Sequence, residues 1–316
     1  MNRVNRNQSA ILPYLGGKRT LAPRIVDALC AGGPPIEYVE PFHGSLAVLL
    51  ELRKRGFGGR AIVNDANGLV SNLARCLADR AASQALSDMI DATPFHEREY
   101  LDALDYLASD RSLCPAPGGL RVDTARAYLI ASWMGRNGFS GMRAGWESLR
   151  SRFCVRWTNS GGDPAGRWAS VKRSLPGWAA LLSSKTTFLC RDALEVLRKA
   201  RRGTGVAVYV DPPYLNETRS TRYAVDVDDG TGTLAESDDF HASLASILDE
   251  HRSAGSCVVA SYYAHDRLAR LYAPGLWRHD RIDVPKATDH GTRGKNKRDR
   301  KRAVEVLISA NTGDHQ

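Results

Sequence analysis

Four short apolar runs in this chain stop on a polar or acidic residue. "IEYVEPF" (36–42) reaches Glu40, "GRAIVNDAN" (59–67) reaches Asn64 and Asp65, "TTFLCRD" (186–192) reaches Asp192, and "VAVYVD" (206–211) reaches Asp211. Stretches of helical spacing separate them: "GSLAVLLELRKRG" (44–56), which carries charge in its last turn and stops on Gly56, "GLVSNLARCLADRAASQALSDMI" (68–90) and "ALEVLRKARRG" (193–203). "DDFHASLASILDEHRSAG" (238–255) follows as a helix, "SCVVASYY" (256–263) as a strand and "RAVEVLISAN" (302–311) as a closing strand. Strand and helix in alternation predict an α/β fold on a mainly parallel sheet. In such a sheet ligands bind outside the carboxyl ends of the strands, so the terminal carboxylates are expected to converge on one crevice.

The alternation breaks between Thr93 and Lys185. "DATPFHEREYLDALDYLASD" and "VDTARAYLIASWMGR" have helical spacing, whereas "NGFSGMRAGWESLRSRFCVRWTNSGGDPAGRW" is rich in Gly, Arg and Trp without a steady period. The expectation is a catalytic domain made of residues 1–92 and 186–316, with a mainly helical module inserted at 93–185. No internal repeat is evident. The formal net charge of +9 favours a polyanionic partner, because a basic face gathers phosphates and releases their counterions. "RHDRIDVPKATDHGTRGKNKRDRKR" (278–302) carries seven Lys or Arg in its last ten residues. It is followed by an apolar strand, so it is read as a basic loop tethered at a sheet edge.

The six cysteines are scattered, without a C-x-x-C pair or Cys/His spacing for zinc, and are read as reduced thiols of a cytosolic protein. No signal-peptide run and no apolar stretch of membrane-spanning length is present, so a soluble cytoplasmic protein is expected.

Other motifs are incomplete. "YLGGKRT" (14–20) lacks the first glycine and the Ser or Thr of a phosphate loop, and no strand precedes it. Its two glycines still allow close backbone approach to a ligand, with Lys18 as a point charge for a carboxylate or phosphate; an ordinary surface turn is the alternative. "GFSGM" (138–142) has Met142 where a nucleophile elbow needs glycine. "DVDDGTG" (226–232) has its glycine one place early for a calcium loop, with no bidentate Glu at the end. "EPFHGS" (40–45) resembles a nucleotide-binding turn with a single glycine, Gly44, and Asp65 lies roughly 20 residues on, where a carboxylate can hold ribose hydroxyls or simply cap a helix.

"DPPY" (211–214) is a rigid turn, since two prolines neither continue a central strand nor begin a helix at Asp211. Asp211 and the Pro212 carbonyl can each accept a hydrogen from an exocyclic amine, Pro213 stiffens the turn, and Tyr214 offers a stacking face for a planar base.

"YLGGKRTL", "YVEPFHGSLAVLL", "NDAN", "FLCRD", "YVDPPY" and "EVLISAN", in that order, resemble the Dam-type (D12 class) DNA adenine-N6 methyltransferases. The resemblance implies a class I methyltransferase sheet, S-adenosylmethionine as methyl donor, double-stranded DNA as partner, and a target-recognition domain inserted before the DPPY strand. It is compatible with a bacterial or phage restriction-modification role and calls for no protein partner. By position, it places Tyr14 and Lys18 at the cofactor, Lys18 near its methionine carboxylate, with Glu40, Phe42 and Gly44 lining the pocket. Asp65 falls at the ribose and Asp192 at the adenine end. Asp211, Pro212, Pro213 and Tyr214 hold the target base beside the sulfonium. Arg136, Asn137 and Arg143 of the insert and Arg293, Lys295, Lys297 and Arg298 of the basic loop are the expected DNA contacts. The chain departs from the family where Leu46 replaces the second motif glycine and where Ala193 replaces an aromatic residue. Cytosine-N4 methylation and an inactive DNA-binding scaffold are the alternatives.

Overall fold

The computed structural model describes residues 9–13, 17–109, 119–136, 149–155, 163–183, 185–213, 215, 238–285 and 302–310. A 3-10 turn, Lys18–Thr20, leads into α1 (Ala22–Leu29), β1 (Glu37–Glu40), α2 (Ala47–Lys54) and β2 (Arg60–Asn64). Among the helices that follow before the next strand are α3 (Gly68–Ala78), α4 (Arg80–Asp91), α5 (Glu97–Ser109), α6 (Val122–Met134) and α7 (Pro164–Leu182). The chain then runs through β3 (Thr186–Leu189), α8 (Ala193–Lys199), β4 (Val206–Val210), α9 (Asp238–Ser253), β5 (Cys257–Tyr263), the short α10 (Leu268–Leu271), β6 (Trp277–Pro285) and β7 (Arg302–Ala310).

The strands form one sheet in the order β3-β2-β1-β4-β5-β7-β6. The first five pair in parallel, and β7 runs antiparallel between β5 and β6. Central β4 is buried along its whole length, as a strand covered on both faces must be, and its five residues are apolar or aromatic. Its alternation sorts them. Val206, Val208 and Val210 pack with Leu197 of α8 and with Phe240, Leu244 and Leu248 of α9. Ala207 and Tyr209 join the opposite cluster, which holds α1, α2 and the buried faces of α3 to α7. Each large apolar side chain so buried contributes about 1.5–3 kcal/mol.

Three expectations are revised here. The single helix expected over 68–90 is two, because Asp79 takes an extended conformation and its carboxylate caps α4 by accepting from the Ala82 amide at 2.8 Å. The stretch around Asp163 without a steady period opens a 19-residue helix, α7, capped by Asp163 through the amides of Ala165 and Gly166 and running through Pro176. The first part of the segment read as a basic loop is strand β6, hydrogen-bonded to β7. It is a sheet edge whose charged side chains, Arg278 and Arg281 among them, stay in water, a common protection against further strand pairing.

Candidate active site

Side chains two apart on a strand share a face. Tyr38, Tyr209, Val259 and Leu307 all lie in the α1-side cluster, so Glu40, Asp211, Ser261 and Glu305 project toward that same side at one end of the sheet. Glu40 and Asp211 lie at or just past the carboxyl ends of parallel strands. Glu305 reaches the same end because β7 is antiparallel and its early residues lie opposite the late residues of β5, Glu305 opposite Tyr263 and Leu307 opposite Ser261.

Lys18, from the 3-10 turn, joins this row and is 4% exposed. Its Nζ lies 2.8 Å from Asp211 Oδ2 and 3.0 Å from Glu305 Oε1. Burial disfavours the ammonium, but the Asp211 and Glu305 carboxylates more than offset this and hold its pKa well above the ordinary 10.5. The second oxygen of Asp211 accepts from Ser261 Oγ at 3.0 Å. Ser261 has one hydroxyl proton and gives it to Asp211, so the Tyr209 hydroxyl, 2.9 Å away, donates to Ser261. Burial, followed by the Asp211 charge, pushes the Tyr209 phenol well above its ordinary value, which keeps it a donor.

Glu40 is buried, and desolvation together with the charges of Asp211 and Asp65 raises its carboxyl well above the ordinary carboxylate range. Its Oε2 has no hydrogen-bond partner among the described residues.

The turns after β1 and β2 are tied to each other. Asn64 donates from Nδ2 to Pro41 O and to Arg191 O, and accepts from the Arg191 amide. The His43 amide donates to Asn64 O at 2.9 Å. Asp65 accepts from the Gly44 amide at 2.8 Å with one oxygen and from the Asn67 amide at 2.9 Å with the other. Gly44 has φ +44° and Leu46 φ +57°. The family glycine that Leu46 replaces thus occupies a left-handed position here. Leu46 accepts that conformation while its side chain is fully buried. Burial also lowers the His43 pKa, so the ring is neutral beneath the turn, and its Nε2 has no partner among the described residues.

Lys18, Glu40 and Asp211 are therefore brought together, and Gly44 and Asp65 adjoin them through the first two turns. Phe42 is half-buried, with its ring edge-on to Phe240 at 6.4 Å. Asp192 is exposed and caps α8 through the Glu195 amide at 2.8 Å. Pro212 is buried and Pro213 half-buried. Arg136 lies apart, exposed after α6, with its amide donating to Arg152 O. Tyr14, Tyr214, Asn137, Arg143, Arg293, Lys295, Lys297 and Arg298 lie outside the described residues. The sequence pattern did not point to Ser261, Tyr209 or Glu305; the available signal was a lone polar residue spaced by two from apolar ones within a buried strand.

The strand order, with one antiparallel strand inserted next to last and a polar row at the carboxyl edge, defines a class I methyltransferase fold. Within that class the chain belongs to the D12 class N6 adenine-specific DNA methyltransferase family, whose model matches residues 14–133 and 158–280. No curated protein sequence matches it significantly. Among solved structures it is similar to the rRNA methyltransferase aviRa from Streptomyces viridochromogenes, at 16% identity and a TM-score of 0.39 over 98% of this chain and 94% of that one. It is also similar to a SAM-dependent methyltransferase from Agrobacterium tumefaciens, at 12% identity and a TM-score of 0.36, covering 93% of this chain and 61% of that one. The chain thus spans about three fifths of the length of the Agrobacterium protein. Among the described residues no helix is long and apolar enough to cross a membrane.

Proposed function

We propose that this chain transfers the methyl group of S-adenosylmethionine to the exocyclic N6 of an adenine flipped out of double-stranded DNA. The observation that carries this reading is the clamped Asp211 carboxylate, held on one oxygen by Lys18 and on the other by Ser261. A carboxylate oxygen has room for two donors, so each still has capacity to accept a hydrogen from an amine. The N6 lone pair is delocalised into the adenine ring. Accepting its hydrogens at Asp211 and at the Pro212 carbonyl localises that pair toward the methyl group. Pro213 fixes the turn and Tyr214 stacks on the base. The target nitrogen lies inside the duplex, so the base must leave the stack.

The residues present fit the cofactor. Asp65 spends one acceptor site per oxygen on backbone amides, leaving others for ribose hydroxyls, and the left-handed Gly44 brings backbone close. Glu40 and Phe42 line the same end of the sheet, and Asp192 stands one strand further on at the adenine end. When bound, S-adenosylmethionine supplies an electrophilic methyl on a sulfonium. The protein supplies position and a surrounding of carboxylates matched to a positive centre. Lys18 serves Asp211 first, since its ammonium is already engaged by two carboxylates.

The residues from 93 to 185 are the proposed target-recognition region, with Arg136, Asn137 and Arg143 as its proposed DNA contacts. The basic segment with Arg293, Lys295, Lys297 and Arg298 holds phosphates. The net charge of +9 supports both assignments. Asp211→Ala tests the central role: methyl transfer to adenine, read as N6-methyldeoxyadenosine by mass spectrometry, should fall by roughly 100-fold or more while DNA binding persists. A variant at the wild-type rate would sink the assignment.

A further inference from the structure

Glu305 is an acid in an otherwise apolar stretch, "AVEVLIS", and is 5% exposed. A buried carboxylate is costly unless it is paired. Lys18 is one such partner: its Nζ lies 3.0 Å from Glu305 and 2.8 Å from Asp211. The two ends of the resulting chain come from different strands: Tyr209 to Ser261 to Asp211 on one side, Glu305 to Lys18 to Asp211 on the other. Asp211 is thus gripped at both oxygens, once by a short serine hydroxyl and once by a lysine on a flexible four-carbon stem.

That asymmetry gives Glu305 its task. An ammonium is a rotatable point charge, and a single ion pair does not fix its direction. A second carboxylate at 3.0 Å restricts it. It also divides the ammonium's charge, so Asp211 is less fully neutralised and remains a stronger acceptor toward an amine. Among the described residues, the charged and titratable groups around Lys18 include Asp211 just past β4, Tyr209 on β4, Tyr263 on β5 and Glu305 on β7. Among these, Glu305 is the second anion within ion-pair distance of the ammonium.

We infer that Glu305 is a positioning residue for methyl transfer, acting through Lys18 on the orientation and acceptor strength of Asp211. This rests on the reading of Asp211 as the receptor for the target amine. Glu305→Gln keeps the shape and removes the charge. Steady-state kinetics on adenine-containing duplex DNA should show kcat lowered by roughly 10- to 100-fold, the scale of a small misplacement of a reacting group. KM for DNA and calorimetric affinity for S-adenosylmethionine should stay within about twofold. On a Lys18→Met background the same change should add almost nothing to the loss in kcat, because the link from Glu305 through Lys18 to Asp211 is then already broken.

Unchanged kcat in Glu305→Gln overturns the inference, as does a fall in kcat matched by an equal loss of cofactor or DNA affinity. Effects of the two substitutions that multiply overturn it as well. Should Glu305→Gln fail to fold, Glu305→Asp keeps the charge but draws it back by one methylene; a folded Glu305→Asp with wild-type kcat overturns it, and one with lowered kcat at unchanged affinities supports it. Wild-type enzyme is measured first. If it forms no N6-methyladenine, the reading of the site fails and takes the inference with it; if it does and Glu305→Gln matches it, the role of Glu305 alone fails.

Discussion

Lys18→Met removes a buried cation from between two carboxylates and leaves both without it. At an effective dielectric of about 20, each approach near 3 Å represents roughly 6 kcal/mol of gross Coulomb attraction, most of it offset by the cost of desolvating three charges. The net penalty for removing one member of a buried ion pair is about 3–5 kcal/mol. Asp211 retains 22% exposure and so recovers some hydration, which sets the expectation at the lower end, about 3 kcal/mol. The assay is urea unfolding followed by circular dichroism at pH 8, with Lys18→Met/Glu305→Gln alongside. The double variant also lacks the Glu305 charge that Lys18 compensated and should regain about half the loss. The pH dependence has a definite sign. Because the folded pKa of Lys18 is raised above its ordinary 10.5, its contribution is complete below that pH and disappears only as pH climbs through the still higher folded value. The difference between wild type and Lys18→Met should therefore stay constant from pH 7 to about 10. A loss below about 1 kcal/mol, a double variant less stable than Lys18→Met, or a difference that collapses well before pH 10 would refute the buried triad.

Asp65→Ala strips two backbone amides, those of Gly44 and Asn67, of their shared acceptor. Stability should fall by about 2 kcal/mol and S-adenosylmethionine affinity by at least tenfold; unchanged affinity by calorimetry would count against the ribose role. At Leu46, Ala keeps the left-handed strain and loses the burial, whereas Gly loses the burial but relieves about 1 kcal/mol of strain. Leu46→Gly should thus be the more stable of the two in thermal melts, and the reverse order would remove the strain argument. Neutralising Arg293, Lys295, Lys297 and Arg298 should flatten the salt dependence of DNA binding, by up to about 0.9 in logarithmic slope for each phosphate that these side chains neutralise in the wild type; an identical slope would take this segment out of the interface.

The centre of the parallel half of the sheet was legible because a strand buried on both faces is apolar along its length, and "VAVYV" leaves little alternative. The acids that end those runs were legible for the same reason, as an abrupt change of polarity. Strand β6 was not legible. It lies at an edge, and "RHDRID" carries the charge of a solvated loop because much of it faces water. The break between α3 and α4 was hidden because Asp79 lies within an unbroken helical period, and only its cap to Ala82 marks the new start. Helix α7 was obscured by glycines near its start and by Pro176 within it, residues that argue against a helix locally and are overruled by the burial of Trp168, Leu175 and Trp178.

The site itself was half legible, and the missing half has one cause. Glu40, Asp65 and Asp211 announce themselves at the ends of parallel strands, but Glu305 stands near the beginning of its strand. In a wholly parallel sheet that would place it at the opposite edge, remote from Asp211. It reaches the site only because β7 reverses direction between β5 and β6, a fact of long-range pairing that local pattern does not contain. The face it occupies follows from the alternation that puts Leu307 in the α1-side cluster. Lys18 follows the same logic. A lysine after two glycines looks like a ligand contact, and its point charge suits a carboxylate of any origin. The carboxylates it meets are the protein's own, one just past β4 and one on β7, so what it holds first is Asp211.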